Sequence, residues 1–177
     1  MPVRPKVVPV TRRVRPDLFV LWPTWAALPV FGLAVLALGV QASDPALLAI
    51  GLLLIAINVA IVLDHAYFTT LSIDGDALRF RSRFGLRDER VPVGSIQRVD
   101  AKRYPTTHSG ALSAPNLVVR GRSSSIRVNT KPYRMRELRS LVEALRALNP
   151  AIELDDFWSA VVAGADPAAQ PVARSRW

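Results

Sequence analysis

Arginine occupies every second position in one short stretch of the chain, at Arg79, Arg81 and Arg83, and returns after a turn at Arg87 and Arg90. A guanidinium presents a planar fork of donors that matches phosphate oxygens. Alternation puts the first three on one face of a strand, so the spacing reads as a basic surface suited to lipid head groups. Asp88 and Glu89 interrupt it. The competing reading is a solvated outer sheet face whose charges are partly offset by those acids.

Other chemistry is poorly provided for. The chain has no Cys, which removes disulfides, thiolate catalysis and cysteine-ligated metals. His65 and His108 stand alone, without companions at ligand or proton-relay spacing. Ser123, Ser124 and Ser125 lie in a turn with no general base nearby in sequence. Glycine-rich phosphate loops, metalloprotease helices and hydrolase elbows are missing from the sequence. The pattern implies binding rather than catalysis, with no cofactor and no metal. The formal net charge of +9 admits nucleic acid as a partner. However, Phe80 and Phe84 alternate with arginine and read as core-facing, so no stacking platform is offered to RNA. Anionic lipid is the simpler partner.

The elements that position these residues begin with two apolar runs, 18–40 and 45–63, separated by Gln41-Ala-Ser-Asp-Pro45. Each approaches the ~20 residues that cross a bilayer as a helix. The short link predicts an antiparallel pair of transmembrane helices. Arg4, Lys6, Arg12, Arg13 and Arg15 precede the first run, while the link carries only Asp44. Basic flanks stay in the cytoplasm, which predicts a multi-pass protein of a bacterial cytoplasmic membrane with both termini inside. Phe19, Trp22 and Trp25 at the start of the first run, and Tyr67 and Phe68 after the second, suit the interface on that side. A cleaved secretory signal, ending at Val40-Gln-Ala42 before Ser43, is the rival reading of residues 1–42. Its apolar region is normally ~7–15 residues, shorter than this one. Within the second run, Gly51 and the pair Ala56 and Ala60 read as close-packing positions, with Asn58 as a buried amide bonded across helices.

Residues 1–16 hold four prolines and scattered arginines and read as an extended arm, with Val7, Val8 and Val10 as partner anchors. From 69 to 155 the pattern becomes that of a small domain. Leu71 and Ile73 alternate before Asp74-Gly75-Asp76. Leu78, Phe80 and Ser82 alternate before a turn at Gly85, and strands follow at 87–93, 96–103, 116–120 and 125–129. Thr130 and Pro132 suggest the start of a helix. Met135, Leu138, Leu141, Val142, Leu145 and Leu148 form its apolar stripe, and Asn149-Pro150 ends it. The tail, 156–177, is broken by Gly164, Pro167 and Pro171. It reads as a docking segment with Phe157, Trp158 and Trp177 as anchors.

Several of these strings, Leu71-Ser-Ile-Asp-Gly-Asp-Ala-Leu-Arg-Phe80, Phe84-Gly-Leu-Arg87, Val91-Pro-Val-Gly-Ser-Ile-Gln-Arg-Val99 and 138–150, resemble bacterial pleckstrin-homology (PH-like) domains. The resemblance covers about residues 17–155. It implies a barrel of six to seven antiparallel strands capped by a C-terminal helix, behind a two-helix membrane hairpin. It implies scaffolding or binding at a membrane and supplies no catalytic residues. The hairpin around Arg79 lacks the lysine of phosphoinositide-binding relatives, so that specificity is not implied. Two functions fit. One is an accessory subunit of a larger membrane complex, respiratory or photosynthetic in type. The other is a free-standing scaffold or anionic-lipid sensor.

Overall fold

The computed structural model describes residues 12–20, 22–103 and 115–174. Four helices and nine strands are found among them: β1 (Arg12–Val14), α1 (Trp22–Ala42), α2 (Pro45–Leu63), β2 (Thr70–Asp74), β3 (Ala77–Ser82), β4 (Arg87–Pro92), β5 (Ile96–Arg103), β6 (Asn116–Gly121), β7 (Ser125–Asn129), α3 (Met135–Leu148), β8 (Glu153–Leu154), α4 (Asp156–Val162) and β9 (Ala173–Arg174).

The helix pair is held by small residues at a seven-residue spacing. Gly32 and Gly39 of α1 are buried against α2, as are Gly51 and Asn58 of α2 against α1. A methyl group added at Gly51 would sit 2.6 Å from Cγ and 2.9 Å from the backbone N of Leu36. The backbones therefore touch, as small residues permit in apolar helix pairs. Ala56 is exposed and Ala60 only half-buried, so the expected Ala56–Ala60 seam is replaced by the Gly51–Asn58 seam. Asp44 starts α2 by accepting the N–H groups of Ala46 (2.8 Å) and Leu47 (3.4 Å), with Pro45 in the first turn.

The expectation of two membrane spans is corrected. Among the described residues one helical stretch, Pro45–Phe68, is long and apolar enough to cross a membrane. The corresponding part of α1 is Ala26–Ala42, with Pro29 inside the helix.

The closed barrel is corrected as well. The strands form two sheets, ordered β1-β2-β3-β4 and β7-β6-β5-β8, with β9 also on β5. Between them lies one core, which includes Val14, Leu71, Ile73, Leu78, Phe80, Val99, Leu117, Val119 and Ile126. Helix α3 closes it with Leu138, Leu141, Val142 and Leu145. At one corner Arg87 Nη2 donates to the Arg127 carbonyl at 3.3 Å, but the backbones of β4 and β7 share no ladder there. At the other, β8 and β9 lie parallel along β5 and cap its free edge.

That edge explains the tail. Asp155 follows β8, and its carboxylate accepts the N–H of Ala101 in β5 at 2.6 Å and that of Trp158 at 2.9 Å. One side chain thus continues the sheet and caps α4. Burial of Asp155 pushes its carboxyl above the usual carboxylate range. Phe157, Trp158 and Val161 then enter the core. The start of α3 also differs from expectation. Thr130 does not cap it; the Thr130 hydroxyl donates to the Pro115 carbonyl, and Arg134 stands at the N-cap position.

The Gly51 contact gives a direct test. Gly51→Ala should force the two helices apart at a cost of about 1–3 kcal/mol, the range for overpacking. Gly94, with no atom within 4 Å of an added methyl, should accept alanine with no change. Unfolding midpoints of the two variants in detergent measure the difference.

Candidate membrane-interface site

The apolar run of α2 ends at Leu63, and the next residue is an acid. Asp64 opens a five-residue π-turn, Asp64–Phe68, closed by Thr69 N–H donating to the Asp64 carbonyl at 2.7 Å. The sequence places Asp64 beside water. In the structure it is 8% exposed and occupied by three donors. Thr69 Oγ1 donates to Oδ2 at 3.3 Å. The backbone N–H of Arg83 reaches Oδ2 at 3.2 Å and that of Phe84 reaches Oδ1 at 2.6 Å. A buried carboxylate needs such partners to offset its lost hydration.

Those two amides belong to the tip between β3 and β4. Arg83 and Phe84 have φ of 54° and 55°, and Gly85 follows at 83°. Gly85 N–H donates to the Ser82 carbonyl at 3.1 Å, which makes a tight primed turn. Left-handed backbone costs a residue with a Cβ roughly 1–2 kcal/mol. Glycine or asparagine would normally sit at these positions, and here Arg83 and Phe84 are held by Asp64. Behind it lies Tyr133, whose buried hydroxyl finds no hydrogen-bond partner among the described residues. Burial raises this phenol, and the charge of Asp64 raises it further.

The start of the first helix has its own fastener at the same end of the pair. Before α1, Asp17 N–H donates to the Pro132 carbonyl at 2.6 Å, and Arg134 Nε donates to the Asp17 carboxylate. The hydrogen bond from Arg134 holds the Asp17 carboxyl below its ordinary value. The segment before it is strand β1, antiparallel to β2 with Val14 opposite Leu71. The sequence reads this segment as part of an extended arm, and the structure makes it an edge strand of the chain's own sheet.

The arginine stripe is largely committed within the sheet. Arg79 lies against Asp88, with Nε at 2.7 Å from Oδ1, and this bond lowers the Asp88 carboxyl. Arg81 and Arg90 stand at 4.0 and 3.9 Å from the same carboxylate. Arg87 pairs with Glu89 at 2.9 Å and covers the Phe80 ring. Arg83, at the tip, has no carboxylate within 4 Å among the described residues. The five arginines therefore do not form one uniform phosphate surface. Arg81, Arg83 and Arg90 face solvent, whereas Arg79 and Arg87 are paired and only half exposed.

The expected docking anchors divide in the same way. Phe157 and Trp158 are buried in the chain's own core, which corrects their role as partner anchors. Val7, Val8, Val10 and Trp177, with His108, lie outside the described residues. Phe84, expected in the core, is half exposed at the tip and meets the Phe68 ring at a centroid distance of 5.2 Å.

A groove of about 630 Å³ along β5 is lined by Arg98, Lys102, Arg120 and Asp155, among others. Asp100 sits between Arg98 and Arg120 at 2.6 and 3.0 Å, so the groove is internally neutralised. Among the described residues no group of three or more His, Asp or Glu could hold a metal ion. Comparison of the chain with protein-family models, curated proteins and solved structures finds no match. The likeness to PH-like domains therefore stands on the quoted strings alone.

Two tests follow. Asp64→Ala leaves two backbone donors and a hydroxyl without their acceptor. It should cost about 3 kcal/mol, at the lower limit of ~1 kcal/mol for each of the three unsatisfied groups because water reaches the exposed tip, and speed amide exchange at Arg83 and Phe84. Adding Phe84→Gly should recover part of the loss by removing the left-handed penalty. The second test uses acid. Because Asp17 is lowered in the folded chain, its contribution is present above its ordinary value of 3.8 and is lost as pH falls through the lowered value. Exchange of the Asp17 amide should therefore be faster in Asp17→Asn than in the parent chain at neutral pH. The two should converge below the lowered value.

Proposed function

We propose that this chain is a non-enzymatic, membrane-anchored binding protein that holds its sheet domain against the cytoplasmic face of a bacterial membrane. The observation that carries the proposal is the outer surface of α2. Ile50, Leu52, Leu53, Ile57, Val59 and Leu63 are all exposed on it, although the helix packs on α1. A continuous apolar surface of this kind marks a lipid or protein contact, and the length of Pro45–Phe68 suits hydrocarbon.

Strand pairing adds a constraint. Because β1 pairs with β2, the chain enters and leaves the helix pair at one place on the sheet domain. Arg12, Arg13 and Arg15 precede α1 at that place, and basic flanks favour the cytoplasmic side. The use made of the acids supports binding over chemistry. Asp17, Asp64, Asp88, Asp100 and Asp155 are each committed to caps, turns or ion pairs. The accessory-subunit reading drew on the tail as a docking segment, and it loses that support with Phe157 and Trp158 inside the core.

Membranes of cells expressing the chain should retain it through alkaline carbonate extraction. A single cysteine at Ala151, an exposed position in a chain without native cysteines, should react with an impermeant maleimide in inside-out vesicles and stay unlabelled in intact cells. Release by carbonate would overturn the anchoring, and labelling in intact cells would reverse the orientation.

A further inference from the structure

The sheet domain has two unlike ends. Strand β3 runs about 20 Å at ~3.3 Å per residue, from the Asp74-Gly75-Asp76 turn to the tip at Arg83–Leu86. Helix α3 likewise starts near Asp17, through Arg134. It ends at Asn149, whose side chain donates to the carbonyls of Val93 and Ile96. One end of the domain is therefore marked by the helix pair, Asp17 and the β3–β4 tip. The other is marked by Asp74, Asp76, Val93 and Asn149.

The exposed apolar residues follow this polarity. Outside α1 and α2, every large apolar side chain exposed among the described residues lies at the helix-pair end: Phe19, Val20, Tyr67, Phe68, Phe84 and Leu86. Leu86 is 89% exposed, Phe19 86% and Tyr67 66%. The rest of the domain, with seven further strands and two helices beyond the β3–β4 tip, exposes none of this size. Arg81 and Arg83 flank the apolar tip, while the far end carries both signs, with Asp74 and Asp76 in its turn and Arg120 and Arg122 beside Asn149.

We infer that the β3–β4 tip is a second, interfacial contact with the bilayer, in which Phe84 and Leu86 enter the head-group boundary of an anionic leaflet beside the end of α2. This rests on the membrane anchoring proposed above. Asp64 ties the tip backbone to the last turn of the apolar stretch, and Phe68 packs on Phe84, so the tip is continuous with the surface that meets lipid. Side chains at such a boundary bury their apolar part about 5–10 Å deep, and neighbouring arginines meet lipid phosphate. The helix pair and the tip then form two separate supports, and the domain cannot swivel about the helix axis. The left-handed residues Arg83 and Phe84 turn the tip toward the leaflet, a conformation that Asp64 maintains.

The chain without native cysteines allows a clean test. Single-cysteine variants Leu53→Cys, Leu86→Cys and Ala151→Cys, each carrying an environment-sensitive fluorophore, are reconstituted at full length in vesicles of phosphatidylcholine and phosphatidylglycerol. Lipids spin-labelled near the head group or deep in the chain serve as quenchers. The expected result is deep quenching at 53, shallow quenching with blue-shifted emission at 86, and aqueous emission without lipid quenching at 151. Quenching at 53 with aqueous emission at 86 overturns the interfacial contact and leaves the anchoring intact. Blue-shifted emission at 86 without lipid quenching means that a second copy of the chain covers the tip, and it overturns the lipid assignment. Absence of quenching at 53 overturns the anchoring itself and the contact with it. Leu86 is almost fully exposed, so its replacement leaves the core unchanged.

Discussion

A single buried carboxylate connects the two halves of this molecule. Asp64 stands where the apolar helix must become a strand, a junction at which the last helical carbonyls lose their amide partners. Its three acceptor contacts join the end of α2, the start of β2 and the tip of β3–β4. Without it the tip would have no reason to hold two adjacent non-glycine residues in left-handed geometry, and the sheet domain would join the helix pair only through the two strand connections and the Asp17 contacts. Asp17 and Arg134 repeat the arrangement on the other side with an exposed ion pair, which is weaker because water competes for both charges. The attachment is thus asymmetric, with one buried fastener and one exposed.

Edge strands explain the rest of the architecture. An open sheet leaves unpaired backbone groups that invite association with other chains. Here the free edge of β5 is covered in order by β8, the Asp155 carboxylate and β9. Covering β5 in this way uses the edge that a closed barrel would need, so the two sheets remain separate layers over one core. The tail is part of the fold for the same reason. Trp158 is fully buried beside Phe157, with their rings edge to face at 5.3 Å, and removing it would open a large cavity.

Features governed by short-range pattern were legible in the sequence. The alternation of Leu78, Phe80 and Ser82, the turns at Gly75 and Gly85, and the helical stripe from Met135 to Leu148 all appear where their periodicity places them. What escaped the reading depends on distant pairing. Strand β1 is three residues in a proline-rich segment, and only β2, more than fifty positions later, makes it a strand. Phe157 and Trp158 looked like interface anchors because a short amphipathic turn has the same composition whether it meets a partner or its own core. Asp64 carried a weak signal, an acid closing an apolar run ahead of two aromatics, but its partners at Arg83 and Phe84 lie 19 and 20 residues away. The arginine stripe was visible as a strand face. Its pairing with Asp88 across β3 and β4 depends on register, which composition does not reveal.

The insertion of the helix pair between two adjacent antiparallel strands makes the apolar part a cassette. Val14 and Leu71 lie directly opposite each other, so a tight turn in place of residues 16–69 would span the gap without stretching either strand. Every core residue of the two sheets lies outside the excised segment. The remaining domain would lose the acceptor at Asp64, the Asp17 contacts with Pro132 and Arg134, and the Phe68 ring against Phe84, all of them at its surface, and glycines at 83 and 84 would let the tip keep its shape. The fold is in this sense a β domain with its own core that carries its apolar helices as a loop.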